Sequence, residues 1–239
     1  GSWRVGQVPS RRLHSGSKLD DPAASSFESS FWRAGRAGGR DRDDQRAIVY
    51  GLGRARDDAA TFGNAEAGCM AMKHGLAPVV DKNSRVLILG TLPGDESIRQ
   101  QRYYGDPSNR FWSLLAAALG APVGTSYPER LGFLATHRVA LWDVLQSAER
   151  AGSEDSAIAN PTPNHFDHLL AKFPGLQRLA FNGTRAETLW RQHIRPTAAA
   201  PHSPPPTTTL PSSSGTPGRH VLPDAEKMAR WRDFLRSSE

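Results

Sequence analysis

One cysteine, Cys69, stands in the 239 residues. A lone thiol excludes an internal disulfide framework, a cysteine-based zinc site and an iron–sulfur cluster. Long hydrophobic runs are missing too. No apolar stretch approaches the ~18 residues that a membrane-spanning helix needs. Apolar residues other than glycine make up 38% of the chain, and Gly and Pro together number 40 of 239, so part of the chain is expected to be loop or disorder rather than core. Lysine is scarce, 5 against 25 arginines. A GC-rich coding sequence produces that bias by itself, so it is no evidence for phosphate binding. The histidines form no HExxH or other ligand spacing, so no metal is expected, and no cofactor either. No GK[ST] phosphate loop, GxSxG elbow or Cys–His pair is legible.

What is present is a basic balance, 30 Lys+Arg against 24 Asp+Glu, for a formal net charge of +6. That makes an anionic partner plausible, nucleic acid above all, without naming it. The charge and the Gly/Pro load are unevenly spread. Residues 1–71 carry 11 Lys+Arg, 9 Asp+Glu and 10 Gly, and no period of 2 or 3.6 persists in them. They are expected to be a disordered or non-native extension, with residues 72–239 forming the functional domain. Their acidic pairs, Asp43-Asp44 and Asp57-Asp58, argue against a transit peptide.

From about Gly75 the pattern becomes regular. Arg85 to Gly90 is a short β-branched apolar run that predicts a buried strand, and Arg138 to Trp142 and Leu176 to Phe181 predict two more. Helical spacing appears over Ser108 to Leu119 and His165 to Phe173. A further helix is expected from Thr184, with Glu187 at capping-box spacing, and a last one capped by Asp224. Residues 196–217 hold seven prolines, and Thr207 to Leu210 within them is a candidate fourth strand. Strands alternating with helices imply an α/β fold with a parallel sheet covered on both sides. Ligands in such sheets bind at the carboxyl ends of the strands. That rule brings the Gly90–Gly94 turn, Asp143, Asn182-Gly183 and the loop from Leu210 to Ser214 together.

Each segment has a plain reading and a chemical one. Gly90-Thr91-Leu92-Pro93-Gly94 is an ordinary strand–helix turn, or a backbone cradle for a ligand. In Tyr103-Tyr104-Gly105-Asp106-Pro107-Ser108-Asn109-Arg110-Phe111-Trp112, Ser108 or Asn109 caps a helix, or the block offers a π-face beside an amide that both donates and accepts. Asn182-Gly183 is a strand-end turn, or a base-reading carboxamide. Leu210-Pro211-Ser212-Ser213-Ser214 is a common Ser/Pro loop, or a phosphate grip. Asp143 is read chiefly as structural, tying loops through N–H bonds. Asp95, Glu96 and Asp106 are read as solvated acids.

Taken in order, these segments resemble the uracil-DNA glycosylase superfamily, and most closely its hypoxanthine-DNA (DNA-deoxyinosine) glycosylase branch. The matching motifs are Gly90–Gly94, Tyr103–Trp112, Trp142-Asp143-Val144, Gly152-Ser153-Glu154-Asp155-Ser156-Ala157-Ile158, Phe181-Asn182-Gly183 and Leu210–Ser214. The resemblance implies a three-layer α/β/α sandwich with a short central parallel sheet. It implies base-excision repair: hydrolysis of the N-glycosidic bond of a deaminated base, hypoxanthine or uracil, flipped out of DNA.

The residue roles follow from the same resemblance. Asn109 takes the catalytic position, Tyr104 the place of the ring stacked on the base, and Asn182 that of the base-reading amide. The turn of Gly90, Thr91, Leu92, Pro93 and Gly94 surrounds the base with backbone N–H groups. Leu210, Pro211, Ser212, Ser213 and Ser214 match the loop that enters the minor groove. Leu92 stands where other branches carry Asp or Asn, so the carboxylate that activates water is missing there. No lysine sits in these motifs as a Schiff-base nucleophile, so a monofunctional enzyme is expected. The implied partner is DNA with deaminated bases and no membrane; a monomer, cytoplasmic and nucleoid-associated in a bacterial cell, is expected. Pro-Ala usually follows the last motif, where this chain has Gly215-Thr216-Pro217-Gly218-Arg219. A non-catalytic damaged-DNA-binding relative therefore stays an alternative, as does a nucleotide-binding α/β domain with no DNA role.

Overall fold

The computed structural model describes residues 70–194, 205–215 and 222–236. The expectation for residues 1–71 therefore lies almost wholly outside the described residues, as does the altered segment beyond Gly215. Four strands form a parallel sheet: β2 (Val86–Gly90), β3 (Val139–Asp143), β6 (Arg178–Asn182) and β7 (Thr207–Leu210), in the order β3-β2-β6-β7. These are the three strands expected from the apolar runs and the candidate fourth at Thr207–Leu210, within two residues at each end. β2 and β3 are buried nearly throughout because their side chains face helices on both surfaces.

Six helices are described: α1 (Asp95–Gln100), α2 (Phe111–Leu119), α3 (Tyr127–Thr136), α4 (Phe166–Lys172), α5 (Thr184–His193) and α6 (Asp224–Arg236). The apolar stripe of α2 (Phe111, Trp112, Leu114, Leu115 and Ala118) is buried as its spacing predicts. α2 packs against α6, which also leans on β7, while α3 packs on β3 and α5 on β6. The result is the mixed α/β architecture with a central parallel sheet flanked by helices.

Two expected caps are corrected. α5 begins at Thr184, with Gly183 in the cap position and no side-chain cap. Gly183 holds φ at +100°, a backbone that turns the chain before Thr184 can reach back, and Glu187 pairs with Arg191 instead. Asp224 is the first residue of α6, and its carboxylate goes to Arg110 at 2.6 Å.

A second sheet was not legible. β1 (Ala71–His74), β4 (Leu145–Arg150) and β5 (Ala159–Pro163) pair antiparallel in the order β1-β4-β5. The helices α1 and α3 were not anticipated either. α3 carries a full capping box between Ser126 and Glu129, with Pro128 in its first turn.

Candidate active site

The register of the parallel sheet sets the site. Gly90 pairs with Asp143, and Asn182 pairs with Leu210. Leu89 pairs with Phe181 one residue earlier, so Asp143, Gly90, Asn182 and Leu210 end the four strands at one level. The chain leaves that edge in tight turns: Val144 N–H donates to the Gly90 carbonyl at 2.9 Å, and Leu145 N–H to that of Thr91 at 3.0 Å.

Over this edge lies a hydrogen-bonded cluster drawn from three distant segments. Asn182 Nδ2 donates to the Tyr104 hydroxyl at 3.0 Å and to Ser213 Oγ at 2.8 Å. Asn182 Oδ1 accepts from Ser213 N–H at 2.8 Å. Ser213 Oγ–H donates to Asn109 Oδ1 at 2.9 Å, and Phe111 N–H donates to the same oxygen at 3.0 Å. The last bond is the helix-entry contact foreseen for Asn109, although the cap position itself is Arg110. Tyr104, Asn109, Asn182 and Ser213 are thus brought together, with Asn182 held at both ends of its amide and Asn109 held at its oxygen.

Tyr104 presents an aromatic face here. Its ring stacks on Phe111 with centroids 3.7 Å apart and planes 6° from parallel, and Trp112 closes the edge of both. Phe111 is fully buried, so the outer face of the pair belongs to Tyr104. Its φ of +52° is a strained backbone for a bulky residue, the kind of cost found at functional sites. Burial and the nearby Asp143 push its phenol well up, so Tyr104 keeps its proton.

The first turn is braced from beneath by β4. Arg150 is wholly buried; its Nη1 donates to the Leu92 carbonyl at 3.2 Å and its Nη2 to that of Pro93. Thr91 Oγ1 donates to Asp155 Oδ1 at 2.7 Å, and that carboxylate stands 3.7 Å from Arg150. Thr91, Leu92 and Pro93 are all buried. Their side chains and two carbonyls serve the interior, so this turn offers a ligand its backbone N–H edge rather than side chains.

Asp143 is 4% exposed, and its carboxyl lies against Gly90: a Cβ on Gly90 would stand 2.5 Å from Asp143 Oδ1. Its main chain does tie a loop, through the carbonyl that accepts from Asn164 Nδ2 at 2.9 Å. The carboxyl does not take the N–H bonds expected of it; Oδ2 has no hydrogen-bond partner. Burial raises its pKa to about 7, with the Tyr103 phenol and Arg150 opposing and Asp155 adding. No residue-pattern signal could have shown this, because it depends on Gly90 and Tyr104 closing over the strand end.

The other acids are engaged locally. Asp95 pairs with Lys73, Glu96 with Arg99, and Asp106 accepts from Ser108 N–H. In the loop after β7, Leu210 is 2% exposed and packs in the core, and the Pro211 carbonyl accepts from Trp231 Nε1 at 2.9 Å. Ser212 and Ser214 are the exposed members, while Ser213 turns inward. Among the described residues no three His, Cys, Asp or Glu side chains are grouped to hold a metal ion, and no helix is long and apolar enough to cross a membrane.

Residues 77–214 match the model of the uracil DNA glycosylase superfamily. Proteins named hypoxanthine DNA glycosylase from Methanosarcina acetivorans and Methanosarcina barkeri are 43% and 42% identical over 116 and 115 residues. Each alignment covers 48% of this chain and 73% of the relative. A solution NMR structure of a Methanosarcina acetivorans protein, described as a candidate uracil DNA glycosylase, superposes with a TM-score of 0.57 at 37% identity. That match covers 70% of this chain and 99% of the other.

Proposed function

This chain belongs to the uracil DNA glycosylase superfamily, and we propose that it is a monofunctional DNA glycosylase that starts base-excision repair by releasing hypoxanthine, and secondarily uracil, from DNA. The observation that carries this reading is the cluster of Tyr104, Asn109, Asn182 and Ser213 over the carboxyl edge of the sheet. The relatives named hypoxanthine DNA glycosylase favour hypoxanthine as the first substrate.

An enzyme acting on a base must extrude it from the stack. The outer face of Tyr104 receives the flipped base, with Phe111 fixing the ring from behind. Asn182 Oδ1 has one lone pair beyond the bond from Ser213 N–H, which suits the N–H of a hypoxanthine or uracil edge. The backbone N–H groups of the Gly90–Gly94 turn surround the base. As the C1′–N bond breaks, its electron pair leaves with the base and C1′ gains oxocarbenium character. Fixed N–H donors stabilise the base anion where it forms. Water then adds to C1′, its proton ends on the released base, and an abasic sugar remains. Ser212 and Ser214 are the loop residues placed to meet phosphates.

The reading is tested by incubating the protein with single- and double-stranded oligonucleotides containing inosine, uracil or xanthine, then cleaving abasic sites with alkali. Cleavage should be strongest at inosine and require the alkali step. Folded protein that leaves every lesion intact excludes the reading and favours a damage-binding relative without turnover. Strand breaks without alkali would exclude a monofunctional enzyme.

A further inference from the structure

Ser213 is only 1% exposed, and every polar atom it has is engaged. Its N–H donates to Asn182 Oδ1. Its Oγ accepts from Asn182 Nδ2 and donates to Asn109 Oδ1. Its carbonyl accepts from Arg110 N–H at 3.0 Å. A backbone N–H can only donate, so it identifies the oxygen of each facing amide. Ser213 N–H marks Asn182 Oδ1, and Phe111 N–H marks Asn109 Oδ1. The Ser213 hydroxyl supplies the second donor to Asn109 Oδ1, and a carbonyl oxygen has two lone pairs. Both are occupied. What Asn109 has left for a ligand is Nδ2, a donor that cannot accept a proton.

We propose that Ser213 is a positioning residue that holds Asn109 as a hydrogen-bond donor, so that this amide stabilises the departing base instead of drawing a proton from the attacking water. The inference rests on the glycosylase reading above. It removes Asn109 from water activation, where an acceptor would be required, and assigns it to the charge that develops on the base as the C1′–N electron pair leaves. Water meets an oxocarbenium-like carbon, an electrophile strong enough to need little activation. Ser213 also lies between Ser212 and Ser214, the exposed members of the loop. DNA that presses on those two serines therefore acts on the residue that aligns the Asn109 amide.

The test compares Ser213→Ala and Ser213→Cys, the second nearly isosteric but a poor hydrogen-bonding partner. Both are assayed in the full chain and in the Asn109→Ala background. Single-turnover cleavage of an inosine duplex should fall about 10- to 100-fold in either variant, the scale expected when a catalytic donor loses alignment. Duplex Kd should stay within about threefold, and the fall should shrink below about twofold when Asn109 is already Ala, as coupled residues require. The side-chain NH2 resonances of Asn109 and Asn182 should shift in the variants while backbone amides remote from the loop stay in place.

An equal fall in both backgrounds overturns the role of Ser213. So does an unchanged rate with weakened binding, which would make Ser213 a DNA-gripping residue only. No cleavage by the unaltered chain overturns the glycosylase reading and with it the role assigned to Asn109, a result distinct from an active chain with an additive cycle. If Ser213→Ala does not fold, Ser213→Cys decides alone.

Discussion

Gly90 and Asp143 share one rung of the parallel sheet, and the space between them is already filled by a carboxyl group. Gly90→Ala places a methyl 2.5 Å from Asp143 Oδ1, so the buried acid or the turn must move. We expect a loss of ~2–3 kcal/mol, the usual cost of overpacking a closed interior, measured by urea unfolding. Asp143 adds a pH dependence of known sign. Its pKa is near 7 when folded, against 3.8 as a free side chain, so the folded chain holds this proton more tightly than the unfolded chain does. Stability from this group is therefore full below about pH 4 and is lost as pH rises to about 7. The groups around it are Tyr103, Tyr104, Asp155 and Arg150. Asp143→Asn should flatten that slope in unfolding measured between pH 4 and 8; an unchanged slope would show that the acid is ionised throughout. Asn109→Ala should lower single-turnover cleavage of an inosine duplex by about 100-fold or more, while the lost helix-entry bond from Phe111 N–H costs only ~1 kcal/mol in unfolding.

At the scale of elements, β4 supports the Gly90–Gly94 turn, proposed above to surround the base. Arg150 reaches from its end to the carbonyls of Leu92 and Pro93 and approaches Asp155. Arg150→Met leaves those acceptors buried without donors, so it should destabilise the chain by ~2–4 kcal/mol and lower activity further by loosening the turn. The capping box of α3 gives a contrast remote from the chemistry. Ser126→Ala should cost ~1 kcal/mol in unfolding and leave cleavage of an inosine duplex within twofold of the parent. The strands of the second sheet explain why they escaped the sequence reading. Leu145–Arg150 reads Leu-Gln-Ser-Ala-Glu-Arg, and Ala159–Pro163 holds two prolines and an asparagine. The first does not alternate and has no β-branched residue, and the second is broken by its prolines, so pairing with neighbours, not local preference, makes them strands. The α3 start was legible, since Ser126-Tyr127-Pro128-Glu129 has cap, proline and glutamate in their usual places.

For the whole molecule, the basic balance acquires a use. Observed binding to duplex DNA should weaken steeply with salt, the log–log slope reporting the number of phosphates neutralised. A flat salt response would argue against DNA as the partner. If the chemistry lies in residues 72–239, as we propose, a chain starting at Met70, which keeps β1 whole, should retain cleavage within about threefold of the full chain.

The sequence by itself determined the parallel strands, because continuous apolar runs ending in Gly, Asp or Asn have few other places to go. It also supplied the ordered motifs that name the family. It left three things to the tertiary structure. The buried state of Asp143 arises only when Gly90 and Tyr104 close over it. The inward turn of Ser213, in a loop whose neighbours Ser212 and Ser214 face outward, depends on amides 31 and 104 positions away. The orientation of Asn109 as a donor is completed by the Ser213 hydroxyl, 104 positions away, which fills the lone pair that the local bond from Phe111 N–H leaves open. Each is a contact between segments far apart in the chain, and local pattern carries no record of which partner will fill a lone pair.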